Sequence, residues 1–437
     1  MTNFGYLVSR FVRKTGQFRL VNLTLRGYTG NGGHGTLPLH PVEHTGRLSL
    51  FNMTGGEKLH STCFEDETGF SPNVLEAWDR LAESLSLPFN SPAWTLAWWR
   101  HRAPKRSRLA VVIVEDPSGE LVGVAPFYID RRKPLPTIRL MGAQTASGVD
   151  ILCVPGAERQ VAESVMGALR SRARWTAGIV FDGVPATSPW PGLLAELGPH
   201  RGGRSLPEWR QPAPIVRWSG DRDGWVQSRS SKFRQQMRRK TRRFEQEGAS
   251  ISIHDNPDQA AIATFVALHE ENWRERGGSG VLGRGSASML SEAAGQLGPQ
   301  GRFTLWTIDV DGETACSLAF VSAGDRAEFW LGGYDETWSR FSPTLIVLFA
   351  AIQELVDEGI SEVSLGSGAQ PYKYRFTSDE QELVWTVAPT GLVSIVASRL
   401  MFLKPRITTW LSDNLPDRAL QRIKGALTKP QLPGPAP

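Results

Sequence analysis

The chain has 437 residues, 40% of them hydrophobic and 21% charged, with a formal net charge of +5. That length exceeds one ordinary core, and the composition is that of a globular protein; disordered and fibrous chains are excluded, and two or three domains are expected. No apolar run reaches the roughly 18 residues that cross a bilayer, and Arg19, Asn22 and Arg26 interrupt any signal-peptide core near the N-terminus. Cys63, Cys153 and Cys316 lie far apart with no C-x-x-C spacing. Such a set argues against a disulfide framework and against zinc, and a reducing cytoplasm is the expected location.

Residues 1–65 read as an irregular or disordered arm. They hold four of the eight histidines (His34, His40, His44 and His60) and a glycine-rich patch, and Met53 is an alternative start. Gly30-x-Gly32-x-x-Gly35 fits a dinucleotide fingerprint in letters only, because no strand precedes it and Leu37-Pro38 follows where a helix should begin. From Ser71 the chain becomes regular, and residues 66–217 form a first domain. Ser71-Pro72 opens a helix with Leu75, Trp78 and Leu81 on one face. A tryptophan-rich helix over 92–101 follows, then strands at 109–115 and 121–129 joined by a turn, a helix at 161–172 and a strand at 178–184.

Residues 218–390 form a second domain that repeats this order. A helix at 287–297 leads to a strand at 303–310, an Asp311-Gly312 turn and a strand at 314–321. A strand at 327–332, a helix at 343–357 and a strand at 361–365 complete it. Gly119-Glu120 and Phe127 match Gly312-Glu313 and Phe320 at one constant shift, which predicts a duplication. Residues 391–437 form a helical tail, whose apolar stretch 392–403 is expected to pack on the second half rather than on a membrane.

Three features carry chemistry. Eight basic residues and no acidic one lie between Arg229 and Arg243, and without them the rest of the chain is net acidic. Phe233, Met237 and Phe244 fall on one stripe of this helix. With no carboxylate to form i,i+4 pairs, the other faces repel themselves, so the helix is either a solvated face or the seat of an anionic ligand: a CoA phosphate, a sugar nucleotide, an acidic polymer or RNA. The helix at 258–276 aligns Ile262, Phe265, Val266, His269 and Trp273, so His269 is either a core histidine or a general base. Finally, Ser364-Leu365-Gly366-Ser367-Gly368 runs from a strand into Tyr372-Lys373, where a phenol can donate a proton and an ammonium can hold a phosphate.

Tyr334-Asp335, Ser342-Pro343 opening a helix, and Gly368 with Tyr372-Lys373 resemble the GNAT-type acyltransferase family connected with cellulose biosynthesis. Pro88-Phe89, Ser91-Pro92 with Trp94, the strand at 121–126 and the spacing of Lys232, Arg234, Arg238 and Arg239 resemble it too, so the likeness spans about residues 88–376. Fem-type peptidyltransferases are relatives with the same two-half architecture. The resemblance implies an α/β (α+β) fold of two tandem GNAT-like domains, each a mixed, mostly antiparallel sheet flanked by helices. It implies acetyl-CoA or another acyl-CoA as donor, no metal, and an amine or hydroxyl acceptor on a sugar, polysaccharide precursor or other small metabolite. Tyr334, Asp335, Tyr372, Lys373 and His269 are then the catalytic candidates. Ser342, Arg238 and Arg242 would hold the donor, and Trp273 and Gly368 the acceptor. Two departures stand out: Ser364, Ala369 and Gln370 occupy places where the family commonly has acids, and residues 335–341 contain no glycine for a pyrophosphate loop. The other readings are a Fem-like aminoacyl-tRNA-dependent transferase, whose basic helix would grip RNA, and a non-catalytic accessory protein of polysaccharide synthesis.

Overall fold

The computed structural model describes residues 7–14, 17–24, 58–198, 206, 208–218, 220–274 and 277–401. His34, His40, His44, Met53, the Gly30–Gly35 motif and residues 402–437 lie outside them. In chain order the elements are β1 (Leu7–Lys14), β2 (Gln17–Thr24), β3 (His60–Phe64), α1 (Pro72–Ser84), α2 (Pro92–Arg102), β4 (Arg108–Glu115), β5 (Leu121–Asp130), β6 (Thr137–Leu140), β7 (Leu152–Cys153), α3 (Glu158–Ala173), β8 (Ile179–Pro185), α4 (Trp190–Leu197) and β9 (Glu208–Arg217). The later part continues with α5 (Arg222–Ser228), α6 (Ser231–Glu245), β10 (Ser250–His254), α7 (Gln259–Arg274), α8 (Ser286–Leu297), β11 (Phe303–Val310), β12 (Glu313–Ala323), β13 (Arg326–Tyr334), α9 (Pro343–Asp357), β14 (Glu362–Ser364), β15 (Glu380–Ala388) and α10 (Leu392–Met401).

Local chemistry sets many of these boundaries. Ser71 and Ser91 cap α1 and α2 by accepting the N–H groups of Val74 and Trp94, and a proline at the first helical position costs neither helix a hydrogen bond. Asp311 and Gly312 both take positive φ, which matches the twist of a two-residue hairpin between β11 and β12.

The described strands join one mixed sheet in the order β2-β1-β10-β11-β12-β13-β14-β9-β15-β8-β6-β5-β4-β3, with β7 beside β5. Its centre departs from the division at 217/218. β9, the last strand of the first half, pairs with β14 of the second, and β15, the last strand of the second, pairs with β8 of the first. The two exchanged strands pair with each other, from Glu380↔Pro214 to Thr386↔Glu208.

Packing also joins the halves. One core cluster combines Trp78, Trp94 and Phe127 of the first half with Ile262, Phe265, Met289 and Leu290 of α7 and α8. A second gathers Phe233, Met237 and Phe244 of α6 against Trp306, Phe320, Ile352 and Phe376. Each large side chain sealed in this way stabilises the fold by about 1.5–3 kcal/mol. Polar contacts cross the same junction. Arg102 donates to the Val281 and Arg284 carbonyls (2.9 and 3.1 Å) and to Ser286 Oγ (2.9 Å). The Trp330 indole donates to the Thr145 carbonyl (2.7 Å) and meets Trp94 edge-on at 5.0 Å.

Two expectations change. Residues 1–65 are not irregular throughout: β1 and β2 form an antiparallel pair, and β3 lies on β4 at the edge of the first-half sheet. Residues 17–24 come close to the alternation of a strand, a local signal that a composition-based reading overlooks. The tail helix α10 starts against the first half, not the second, because Thr390 Oγ1 donates to the Ala173 carbonyl (3.0 Å).

Candidate functional site

β13 and β14 are parallel but pair only from Arg326↔Glu362 to Glu328↔Ser364. β14 then ends and the chain turns away at Gly366 (φ 74), whereas β13 continues to Tyr334. The strands therefore fork, and the far end of β13 needs other hydrogen-bond partners. Helix α7 supplies them. Asn272 accepts from the Tyr334 N–H (2.8 Å) and donates to its carbonyl (2.7 Å), standing in for a neighbouring strand.

His269 works one turn earlier. Its Nδ1 bonds the Gly332 carbonyl (2.9 Å) and its Nε2 the Ser279 hydroxyl (2.9 Å). The carbonyl can only accept, so Nδ1 carries the proton and Nε2 accepts from Ser279. Burial holds the imidazole below its ordinary pKa of 6.5, with the Gly332 carbonyl and Glu270 opposing. Both nitrogens are thus engaged in holding β13 and the 279–282 turn. The core-histidine reading accounts for every polar atom of the ring, and service as a general base would first require Ser279 to leave. Trp273 lies beside it, its ring 6.1 Å away. Gly333 allows this approach, since a Cβ there would sit 2.3 Å from the His269 backbone nitrogen. Asn272 escaped the sequence reading, although its position three residues after His269 placed it on the same helical face.

The opposite wall is the loop after β14. Gly366 and Gly368 both have positive φ, and the Gly368 N–H donates to the Pro212 carbonyl of β9 (2.8 Å). Lys373 is buried, and its Nζ donates to the Gly366 and Ser367 carbonyls (2.9 and 2.8 Å). Burial pushes this ammonium down to about 7, with the buried Glu328 carboxylate opposing. The lysine therefore staples the glycine loop from inside, which replaces the expectation that it reaches a ligand phosphate. Tyr372 packs against the second-half core, and burial pushes its phenol up to about 12, so it stays protonated and able to donate. Asp335 is committed locally: it accepts from the Thr337 N–H (2.9 Å) and hydroxyl (2.8 Å), capping the short 3-10 turn before α9.

Cations gather instead at the start of α9. Ser342 adopts a left-handed conformation (φ 58) just before Pro343. Lys240 of α6 donates to Ser342 Oγ (2.8 Å) and to the Arg340 carbonyl (3.1 Å). Burial lowers the Lys240 pKa, and the positive charges of Arg239 and Arg375 lower it further. Arg375, from the Tyr-Lys loop, lies over the Phe233 ring at 4.6 Å and hydrogen-bonds Gln236 of α6. Two separate segments, α6 and the Tyr-Lys loop, thus bring cations to the positive end of a fifteen-residue helix, an arrangement suited to a phosphate. A phosphate-bearing donor such as acyl-CoA fits these residues without a glycine-rich loop. Arg238 and Arg242 lie on the exposed side of α6, whose buried stripe is Phe233, Met237, Thr241 and Phe244. Among the described residues no cluster of His, Cys, Asp or Glu side chains is placed to hold a metal ion.

Residues 231–374, the stretch from α6 to the Tyr-Lys loop, match a family model described as an acetyltransferase (GNAT) domain. No curated protein matches the chain. Among solved structures, FemX is similar with a TM-score of 0.52 at 12% identity, over 72% of this chain and 96% of that one. L-PGS from Bacillus licheniformis has a TM-score of 0.47 at 14% identity, over 76% and 96%. A tandem GNAT protein from the clavulanic acid biosynthesis pathway has 0.39 at 14%, over 76% and 98%. The chain thus has a GNAT-like fold, and residues 231–374 in its second half resemble a GNAT acetyltransferase domain.

Proposed function

We propose that the protein is a cytoplasmic acyltransferase that moves an acyl group from acyl-CoA to an amine or hydroxyl of a saccharide or other small metabolite. The observation that carries this reading is the cation cluster of Arg239, Lys240 and Arg375 at the start of α9, beside the β13–β14 fork. In this proposal the donor's phosphates lie against Ser342, Lys240 and the α9 N-terminus, with Arg238 and Arg242 on the outer side. The thioester lies in the fork; the acceptor's nitrogen or oxygen bonds to the acyl carbon as the C–S bond breaks, the Tyr372 phenol protonates the departing thiolate, and the proton that the acceptor loses restores the phenol. Tyr334 faces the reacting groups, Trp273 and Gly368 line the acceptor side, and Asp335, Lys373, His269 and Asn272 hold the walls in place. The saccharide acceptor follows from the resemblance of the Tyr334-Asp335 and Gly368…Tyr372-Lys373 motifs.

A second reading rests on α6. Lys232, Arg238, Arg239, Arg242 and Arg243 are all exposed on this one helix, and a Fem-like enzyme could use them to grip the RNA of an aminoacyl-tRNA. Thermal-shift titration separates the two. Acetyl-CoA or a longer acyl-CoA should raise the Tm, and Lys240→Ala should weaken that response. No shift with any thioester, together with salt-sensitive tRNA binding, would replace the first reading by the second. Silence toward both donors would leave an accessory role.

A further inference from the structure

We infer that the end of the sheet where β6 and β8 begin and β15 ends docks onto a membrane surface that bears anionic headgroups. Five large hydrophobic side chains are exposed among the described residues: Leu135, Trp175, Tyr374, Val393 and Val396. Four of them meet at this end. Leu135 precedes β6, Trp175 precedes β8, and Val393 and Val396 lie on α10 just after β15. The register brings these segments together, because Ile179 pairs with both Ile138 and Ala388. Hydrogen bonds from Ala177 N–H to the Pro136 carbonyl (2.7 Å) and from Thr390 Oγ1 to the Ala173 carbonyl (3.0 Å) tie the connecting loops.

The patch is held in place. Ser394 is fully buried, and its Oγ accepts the Thr390 and Gly391 N–H groups (both 2.8 Å), which fixes the start of α10. Val393 and Val396, three residues apart, are therefore turned outward together, at 42% and 62% exposure. Trp175 is 66% exposed, an unusual state for the largest apolar side chain and one that suits the boundary between headgroups and acyl chains.

Charge selects the occupant. Arg131, Lys133 and Arg174 are exposed on the same two loops, and Arg170 on the last turn of α3. Arg132 and Arg172 are neutralised by Asp130 and Glu65, but those four make no ion pair among the described residues. Arg174 lies over the Trp175 ring at 5.4 Å. An apolar centre ringed by cations of one sign matches an anionic lipid surface. No helix among the described residues is long and apolar enough to cross a membrane, so the contact is peripheral.

Co-sedimentation of the full chain with vesicles tests this. Binding to vesicles of equal parts phosphatidylcholine and phosphatidylglycerol should exceed binding to phosphatidylcholine alone about tenfold and weaken with salt. The pair Trp175→Ala and Val396→Asp should lower the bound fraction about tenfold, as should the pair Lys133→Glu and Arg174→Glu. All four positions are exposed, so the Tm should not move. Equal sedimentation with both vesicle types, or variants that bind as the parent does, would overturn the inference. A dimer lost in the Trp175 and Val396 variant, without lipid binding, would assign the patch to a second copy. A lowered Tm without lipid binding would assign it to the chain's own residues 402–437.

Discussion

The two halves begin with the same helices and hairpin but treat the gap between their parallel strands differently. In the first half, β6 and β8 pair only over Ile138↔Ile179 and Arg139↔Val180, and β6 ends at Leu140. The chain then folds into its own gap. Met141, Ala146, Val149 and Ile151 are buried, and the Gly148 N–H closes onto the Gly183 carbonyl (2.9 Å). In the second half β13 continues past the fork and is held from outside by Asn272 and His269 of α7. Repeated elements therefore meet the same divergence in two ways: the first half closes it with its own chain, and the second braces the longer strand with a helix.

The sharpest way to break this contrast is to put a side chain where α7 meets β13. Gly333→Ala should cost about 3 kcal/mol or more, read by urea denaturation, because backbone has to move. Gly148→Ala, with φ 80 and open space at its Cβ, should cost only the left-handed strain of about 1–2 kcal/mol. Next, Lys373→Met leaves the Gly366 and Ser367 carbonyls without their donor and should lose about 1–3 kcal/mol together with turnover. Unchanged turnover would remove the glycine loop from the site. Lys240→Ala should raise KM for acyl-CoA about tenfold while leaving kcat and Tm close to the parent; an equal loss in kcat would move this lysine from donor binding to chemistry.

The smallest effect contrasts the halves by pH. Burial pushes the Asp150 carboxyl of the first half up to about 7, with Ser188 and the Ile151 N–H opposing. Its folded pKa is raised, so its contribution is lost as pH rises from the ordinary 3.8 through about 7. Lys373 behaves oppositely: its folded pKa is lowered, so the unfolded chain binds the extra proton between about 7 and 10.5, and stability rises with pH there. Asp150→Asn should accordingly raise Tm more at pH 8 than at pH 5. A uniform shift at both values would show that the carboxyl does not titrate in this window.

Elements whose signals are local were legible in the sequence. The Asp311-Gly312 hairpin and the proline-initiated helix Pro343–Asp357 fall where the letters place them. β9 was not legible, because Pro212 and Pro214 argue against a strand; both serve only as acceptors, from Gly368 and Leu365 N–H. β15 opens on Glu380-Gln381-Glu382 and gives no apolar signal until Leu383. Within the site, the Tyr-Lys motif was visible but the direction of Lys373 was not, since it depends on three loop carbonyls converging. The meeting of Lys240 with Ser342 joins residues far apart in the chain, and no spacing rule anticipates it.

The strand exchange at the centre of the sheet also sets an order of events during synthesis. β8 pairs with β6 early but receives its second partner only when β15 leaves the ribosome, about two hundred residues after Phe181, which pairs with Thr386. Until then the nascent first half carries a bare hydrophobic edge, Ile179–Phe181, of the kind that recruits foreign strands. A chain cut short after residue 217 would keep that edge permanently and leave β9 unpaired. Premature termination in the second half should therefore deliver an aggregating fragment rather than a functional single-domain enzyme.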